Sequence, residues 1–357
     1  MQSRNPQRGR GAVSNLENRF VKQSTSEFDD GWHQELEDLP PLQTTIAAET
    51  AQSIISRNQS PDIHFDQSIN PYRGCEHGCV YCFARPTHSY LDLSPGLDFE
   101  TRLYYKHNAV ELLEAELRKP NYVCKPIVLG INTDAYQPIE RKLGITRKLL
   151  ERLLEYRHPV SLLTKGVTIL RDLDVLEALA ERNLVSVAVS LTTLDNELKR
   201  KLEPRTASPA ARLKVLRAMR EIDIQPGVML APIIPQINDA EIEAMAAAAA
   251  EAGATHAGYV LLRLPHELKT VFREWLDEHY PDRAAHVMSL IQQMRGGKDY
   301  SSQFGQRMSG TGPFAELLAT RFRVACQQSG LNQIKRKPLN TQDFRRPIRR
   351  NDQLGLF

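Results

Sequence analysis

The run Asn70-Pro71-Tyr72-Arg73-Gly74-Cys75-Glu76-His77-Gly78-Cys79-Val80-Tyr81-Cys82-Phe83-Ala84-Arg85 holds three of the chain's five cysteines, in a C-x3-C-x2-C spacing. Three thiolates on one loop can hold three irons of a cubane cluster and leave the fourth iron without a protein ligand. An open coordination position suits catalysis, whereas a structural metal site is closed. Gly74 and Gly78 let such a loop turn tightly around a bulky group, and Pro71 sets its approach. The alternative is a structural zinc site with His77 or His88 as fourth ligand. Zinc ligands usually come as two separated pairs, however, and the sequence has no second C-x-x-C.

On either side of this loop, strand and helix patterns alternate from Asp62 onward. Apolar runs at about Ile63–Ile69, Ile127–Ile131, Val160–Thr164, Val185–Ser190, Gly227–Ile234 and Ala257–Leu262 are short and nearly continuous. Strands of that kind are buried on both faces, as in a parallel sheet. Helical patterns fill the intervals. Thr146 is the expected N-cap of a helix carrying Leu149, Leu150, Leu153 and Leu154, and Ser208-Pro209 opens another. Asp239 is expected to open an alanine-rich helix that stops at Gly253. Six strands with crossover helices predict an α/β fold, a partial (β/α)6 TIM-type barrel over 63–265. Helices at about Glu267–His279, Ala284–Met294 and Pro313–Gln328 form an expected C-terminal extension (266–330) across the open side or the bottom. Residues 1–20 read as a flexible basic arm, 21–62 as an N-terminal cap segment, and 331–357 as a basic disordered tail.

Composition is that of a globular protein, with 41% hydrophobic and 25% charged residues and a net charge of +3. Neither end carries a long apolar run, so neither a membrane span nor a signal peptide is expected. Five cysteines, three clustered and two isolated, suit a reducing cytoplasm better than a disulfide framework.

The cysteine loop resembles that of the radical S-adenosylmethionine (SAM) superfamily, in which C-x3-C-x-aromatic-C binds a 4Fe–4S cluster. Cys75, Cys79 and Cys82 take the ligand positions, and Tyr81 the aromatic one. The resemblance implies SAM as second cofactor, bound where the strands of a β/α barrel end at their carboxyl edges. Polar groups follow most strands there: Asn132-Thr133-Asp134, Thr164-Lys165-Gly166, Ser190 and Arg263. Lys165, a cation directly after a buried strand, is assigned to the SAM carboxylate. Thr133 and Asp134 are assigned to its amino group, and Ser190 to the carboxylate or ribose. A reduced cluster then passes an electron to the sulfonium, and the resulting 5′-deoxyadenosyl radical takes a hydrogen atom from a substrate at the barrel mouth. A flavodoxin- or ferredoxin-type protein is the implied electron donor.

Within that superfamily the chain resembles the spore photoproduct lyase-like group, labelled DNA repair photolyase-related, and a bacterial branch of it with no assigned substrate. The resemblance rests on Asn70–His88, on Thr133-Asp134-Ala135-Tyr136-Gln137-Pro138, on Thr164-Lys165, on Glu203-Pro204-Arg205-Thr206 and on Val228–Pro235. On that pattern Lys165 and Ser190 match SAM-binding positions, and Arg205 either joins the same network or holds the loop by an ion pair. One departure matters. The lyase carries a hydrogen-donating cysteine just after the second strand, whereas this chain has Ile131-Asn132-Thr133-Asp134. Cys124 and Cys326 read as small buried residues. The implied substrate is nucleic acid, DNA before RNA, acted on by a different radical reaction. Two other readings are a radical SAM enzyme for a small molecule or protein, and a non-catalytic metal-stabilised nucleic-acid-binding protein.

The basic run Lys335-Arg336-Lys337, Arg345-Arg346 and Arg349-Arg350 suits phosphate contacts. It is followed by Gln353-Leu354-Gly355-Leu356-Phe357, which resembles the bacterial sliding-clamp-binding motif. Gln353, Leu354, Leu356 and Phe357 are the expected anchors for a hydrophobic groove on the clamp.

Overall fold

Short β-branched and leucine-rich runs, too brief for helices and flanked by Pro, Gly and Asn, form the parallel strands at the centre of the protein. The computed structural model describes residues 9–20 and 42–348. Its strands are β1 (Thr45–Glu49), β2 (Ile55–Arg57), β3 (Gln67–Ile69), β4 (Tyr72–Arg73), β5 (Arg102–Lys106), β6 (Ile127–Leu129), β7 (Val160–Thr164), β8 (Val185–Ser190), β9 (Gly227–Ile233) and β10 (His256–Leu261). The larger sheet runs β10-β9-β8-β7-β6-β3-β2. Its strands β3 and β6 to β10 are mutually parallel, and β2 closes one edge antiparallel to β3. This is the six-stranded partial barrel that the alternation predicts.

Two strands are shorter than expected, each for a local reason. Upstream of β3 the chain turns: the Asn58 N–H pairs with the Asp66 carbonyl at 2.8 Å and the Ile63 N–H with Ser60 at 3.2 Å. β6 ends at Leu129 because Gly130 takes φ +91°, and a Cβ there would sit 2.2 Å from the Leu163 carbonyl oxygen. Thr146 is not the N-cap of its helix. Gly144 precedes Ile145–Glu155, and Thr146 instead donates its hydroxyl to the Ala135 carbonyl at 2.6 Å. The Ser208 cap is as expected, accepting from the Ala211 N–H at 3.2 Å. Asp239 opens only a single 3-10 turn, and the alanine-rich helix runs from Ile242 to Glu251.

Crossover helices bury one stripe each on the barrel. Leu149, Leu150 and Leu153 are fully buried, as are Leu176 and Leu179. The C-terminal helices divide. Leu268–His279 and Pro281–Gln293 build a second core from Phe272, Trp275, Leu276, Val287 and Ile291, which also takes in Val80 and Tyr81 of the cysteine loop. The helix Pro313–Gln328 lies against Ile242–Glu251. Cys326 is buried on it, as expected of a packing residue. No helix among the described residues is long and apolar enough to cross a membrane.

A three-stranded sheet, β1-β5-β4, sits beside the loop, with β1 parallel and β4 antiparallel to β5. Within the expected cap segment, residues 42–62 thus supply β1 and β2. The flexible-arm expectation does not hold for residues 9–20. Ala12 and Val13 are buried, and the N–H groups of Gly11 and Ala12 donate to the Glu100 carboxylate at 3.0 and 2.8 Å. A buried carboxylate is a strong acceptor, and two backbone donors are a good match for it.

The expectation of a disordered basic tail is likewise corrected for residues 331–348, which run beneath the amino ends of the barrel strands. Leu331 is buried, and the Asn332 side chain pairs with the N–H and carbonyl of Ala257 on β10. The Asn340 N–H donates to the Asn183 carbonyl and the Arg345 N–H to that of Tyr156. Phe344 packs on Tyr122 and His158, with ring centroids 5.7 and 5.4 Å away. Two apolar anchors and a series of backbone bonds outweigh the charge that dominates the composition of this stretch. The four clamp-motif residues lie outside the described residues.

Candidate active site

The cysteine loop leaves β4 and turns at two glycines of positive φ, Gly74 just before Cys75 and Gly78 just before Cys79, where any other residue would be strained. Gly74 takes φ +74°, and a Cβ on it would lie 2.7 Å from a Leu103 methyl. Gly78 takes φ +68°, with a Glu100 carboxylate oxygen 2.6 Å from the position of its missing Cβ. The Cys75 N–H donates to the Phe99 carbonyl at 2.9 Å and the Val80 N–H to that of Leu202 at 3.0 Å. From the turn after β6, the fully buried Gln137 accepts the Glu76 N–H at 2.9 Å and donates to the Gly74 carbonyl at 3.2 Å.

Beneath the loop lies a fully buried ion pair, Arg85 with Glu100. Besides this carboxylate, Arg85 donates to the carbonyls of Gly78, Cys79, Pro95 and Gly96. A second buried pair, Arg212 with Glu203, stands on the other side. Glu203 also accepts from the Tyr81 hydroxyl and, at 2.7 Å, from Thr192. Arg212 reaches the carbonyls of Ser190 and Ala207, each at 3.0 Å. Tyr81 and the end of β8 are therefore positioned by one network. Arg205 makes the ion pair that was one of its two expected roles, with Glu76 at 3.0 Å.

All three loop thiols are free; Cys75 and Cys79 are buried and Cys82 is partly exposed. Burial pushes the Cys75 thiol well up, and the nearby charges of Asp134, Cys79 and Cys82 add to that. Burial also raises Cys79, while the ammonium of Lys165 pulls it back. Cys75 and Cys79, hard to ionise without added positive charge and close enough to Cys82 to feel its charge, fit a group that brings several cations among the three thiols. Among the described residues no set of His, Cys, Asp and Glu side chains converges to hold one metal ion. A cubane needs no such point, because each thiolate takes a different iron. Each histidine weighed as a zinc ligand has one ring nitrogen engaged elsewhere, while His88 Nδ1 is buried without a partner among the described residues. His77 Nδ1 lies 3.4 Å from Asp134, and His88 Nε2 is 2.9 Å from the Arg102 carbonyl oxygen.

The remaining expected residues divide. The Lys165 ammonium lies 5.9 Å from the centroid of the Tyr81 ring and close enough to Cys79 for its charge to act on that thiol. Ser190 is buried at the end of β8, braced through its carbonyl by Arg212. Thr133 gives its hydroxyl hydrogen to the Tyr72 carbonyl at 3.3 Å and keeps its oxygen lone pairs. Asp134 is a correction. Its carboxylate accepts from the Tyr136 N–H, the Thr164 hydroxyl and the Lys165 N–H at 2.9, 2.7 and 2.7 Å, and pairs with His77. Burial alone would raise its pKa, but the attraction and hydrogen bond of His77, with those N–H and hydroxyl donors, hold it below the usual carboxylate range. All four acceptor positions are taken, so none is left for an amino group. Asp134 positions the backbone of Lys165 instead. A cleft of about 340 Å³ opens beside His77 and Gly166, with Arg141 and Arg205 on its wall.

Arg85, Glu100, Gln137 and Arg212 are the parts of the site that sequence reasoning missed. Each acts on a partner distant in the chain or on a backbone carbonyl, and neither leaves a local spacing signal. Arg85 and Gln137 do fall inside quoted motifs. Removing the charge of Glu100 leaves a buried guanidinium uncompensated, which typically costs roughly 3–5 kcal/mol. Glu100→Gln is expected to lower the melting temperature and the iron bound per chain. The double variant Arg85→Met/Glu100→Gln should recover part of the melting temperature but not the iron, and melting curves with iron assays on both proteins check this.

A radical SAM superfamily model matches residues 69–249. Uncharacterized protein Rv2578c of Mycobacterium tuberculosis is 39% identical over 228 residues, covering 63% of this chain and 67% of its own length. Uncharacterized protein MJ0683 of Methanocaldococcus jannaschii is 28% identical over 173 residues, 48% of this chain and 62% of its own. Among solved structures, spore photoproduct lyase complexed with dinucleoside spore photoproduct superposes with a TM-score of 0.58 at 15% identity, over 80% of both chains. A mutant of that lyase with bound AdoMet and the same dinucleoside gives 0.56, again at 15% identity and 80% coverage of both. At such identity the likeness is one of fold.

Proposed function

The chain belongs to the radical SAM superfamily, and from that premise we propose how its own residues divide the work. It is a radical SAM enzyme whose cofactors are a 4Fe–4S cluster and SAM. Cys75, Cys79 and Cys82 hold the cluster. When bound there, the cluster would supply the electron for reductive cleavage of SAM. Lys165 binds the SAM carboxylate, Thr133 accepts from its amino group, Ser190 bonds the carboxylate or ribose, and Tyr81 walls the site. The observation that carries this reading is the position of the Lys165 ammonium, 5.9 Å from the Tyr81 ring centroid, where its charge offsets part of the rise that burial imposes on Cys79. Asp134 and His77 orient that lysine's backbone, and the two buried arginine–glutamate pairs keep the loop from rearranging.

A charge-assisted hydrogen bond contributes roughly 1.5–3 kcal/mol. Lys165→Ala should therefore bind iron at the wild-type ratio yet hold SAM about tenfold or more weakly, as equilibrium binding would show. Cys79→Ala should bind neither. Unchanged SAM affinity in Lys165→Ala sinks the carboxylate assignment.

For the substrate we favour nucleic acid, DNA before RNA. A solved fold neighbour is bound to a dinucleoside photoproduct. This chain carries an exposed aromatic pair of its own: Phe20 and Tyr90 are 50% and 71% exposed, with centroids 5.4 Å apart and planes tilted by 43°, and the Arg19 guanidinium, ion-paired with Glu267, lies 4.7 and 5.2 Å from them. Such aromatic–arginine platforms suit bases of single strands. A thiol donor of the lyase kind has no counterpart. Cys124 precedes β6, at the opposite end of the strand from the loop, and Cys326 lies in a C-terminal helix. The reaction following hydrogen abstraction is then of another type. Deuterium moving from labelled DNA into 5′-deoxyadenosine is the expected result; label arriving only from a small molecule or a protein decides for those substrates instead.

A flavodoxin- or ferredoxin-type reductant and a cytoplasmic setting complete the proposal, since free thiols and an open iron need reducing surroundings. Gln353, Leu354, Leu356 and Phe357 suit a sliding-clamp groove. A peptide of residues 347–357 should bind the clamp and lose binding when Leu356 and Phe357 become alanine; no binding by the unaltered peptide removes the clamp as partner.

A further inference from the structure

Buried positive charge in this protein is balanced in two places by a buried glutamate, Glu100 for Arg85 and Glu203 for Arg212. It is not balanced after the sixth barrel strand. Arg263 stands two residues past the end of β10, on the edge that carries the cysteine loop. Its guanidinium lies 5.1 Å from the ring centroid of Phe83, the residue that follows Cys82. Among the described residues its donors find only weak partners, the Met308 sulfur at 3.6 Å and the Tyr300 hydroxyl at 3.5 Å, and its buried Nε finds none. Behind it, Arg295 is 4% exposed. That side chain donates to the carbonyls of Gln306 and Leu262 at 2.8 and 2.9 Å, and its Nε also lacks a partner. Among the described residues neither guanidinium has a carboxylate within ion-pair distance. Burial, and then the charge of Arg263, press the Arg295 pKa down.

Two neighbouring guanidiniums with no counter-charge are unfavourable in a partly dry site, and an anion arriving there relieves both desolvation and repulsion. Arg295 is committed to backbone carbonyls, one of them that of Leu262, directly before Arg263. It therefore holds the strand end, and the free donors belong to Arg263. A planar fork matches phosphate oxygens, and the adjoining Phe83 ring, 39% exposed, offers a face for a base. We propose that Arg263 and Phe83, braced by Arg295, form a substrate subsite that grips one backbone phosphate and the neighbouring base at the barrel mouth. The phosphate identity rests on the nucleic-acid reading above; the anion subsite does not.

The test is fluorescence-anisotropy binding of a short mixed-sequence single-stranded oligonucleotide to the reconstituted full chain across a salt series, with pyrophosphate and citrate as competing or separate ligands. Arg263→Gln should weaken oligonucleotide binding by roughly tenfold and lower the slope of log affinity against log salt by about one phosphate's worth. Arg263→Lys, which keeps the charge without the fork, should retain the slope and recover only part of the affinity. Iron content and melting temperature show whether each variant is folded. Should Arg263→Gln fail to fold, unchanged oligonucleotide affinity in Arg263→Lys overturns the proposal. Equal affinity and equal slope in wild type and Arg263→Gln overturn the subsite while the nucleic-acid reading stands. A wild type that ignores the oligonucleotide but binds pyrophosphate or citrate through Arg263 supports the anion subsite and overturns its phosphate-backbone assignment. A wild type that binds none of the three overturns both.

Discussion

The buried Arg85–Glu100 pair is the contact on which the rest of this structure depends. Arg85 reaches the carbonyls of Gly78 and Cys79 from below, and Glu100 takes the N–H groups of Gly11 and Ala12 from the side. Taking two charges out of water costs several kcal/mol per ion, so the pair contributes little net stability. Its value is specificity. With the guanidinium donors spent on carbonyls of the loop and of Pro95 and Gly96, and the carboxylate spent on an incoming strand of chain, only one arrangement of the loop satisfies both ions. A loop that is to hold one rigid group on three thiols, as proposed for this one, needs that kind of constraint more than it needs stability.

A second buried pair does the same for the facing wall. Arg212 and Glu203 tie the end of β8, the turn holding Thr206 and the ring of Tyr81 into one unit. Asp134 completes the frame by fixing the start of the Lys165 turn. Three strand ends and one loop are thus held in register by ionic groups that water cannot reach, while the side chain of Lys165 remains available. Among the described residues Arg263, unlike the paired arginines, meets no counter-charge, which is why its charge is assigned to a ligand.

Much of the fold was legible because its signals are local. A three-residue spacing between thiols, an apolar run of five residues and a Ser-Pro helix start each depend on neighbours along the chain, as at Cys75–Cys82, Val160–Thr164 and Ser208-Pro209. What escaped depends on distant partners. Nothing around Glu100 says that it will meet Gly11 across 89 positions, or that Glu203 will take the hydroxyl of Tyr81 across 122. Strand β1 has no buried face to betray it, being exposed along most of its length and ordered by β5. The tail was misread because its charge was weighed without Leu331 and Phe344, the residues that anchor it. Asp134 was found by position and assigned the wrong task, since four donors to one carboxylate become visible only when the turns after β6 and β7 meet.

The account stands on three loop thiols leaving one iron open to SAM. The most direct measurement is anaerobic reduction of the reconstituted protein in the presence of SAM, with iron, sulfide, 5′-deoxyadenosine and methionine all quantified. The account predicts close to four irons and four sulfides per chain, with both SAM fragments formed and their formation abolished in Cys79→Ala. A folded protein that binds zinc in place of iron, or that carries a complete cluster and leaves SAM intact under strong reduction, would contradict it.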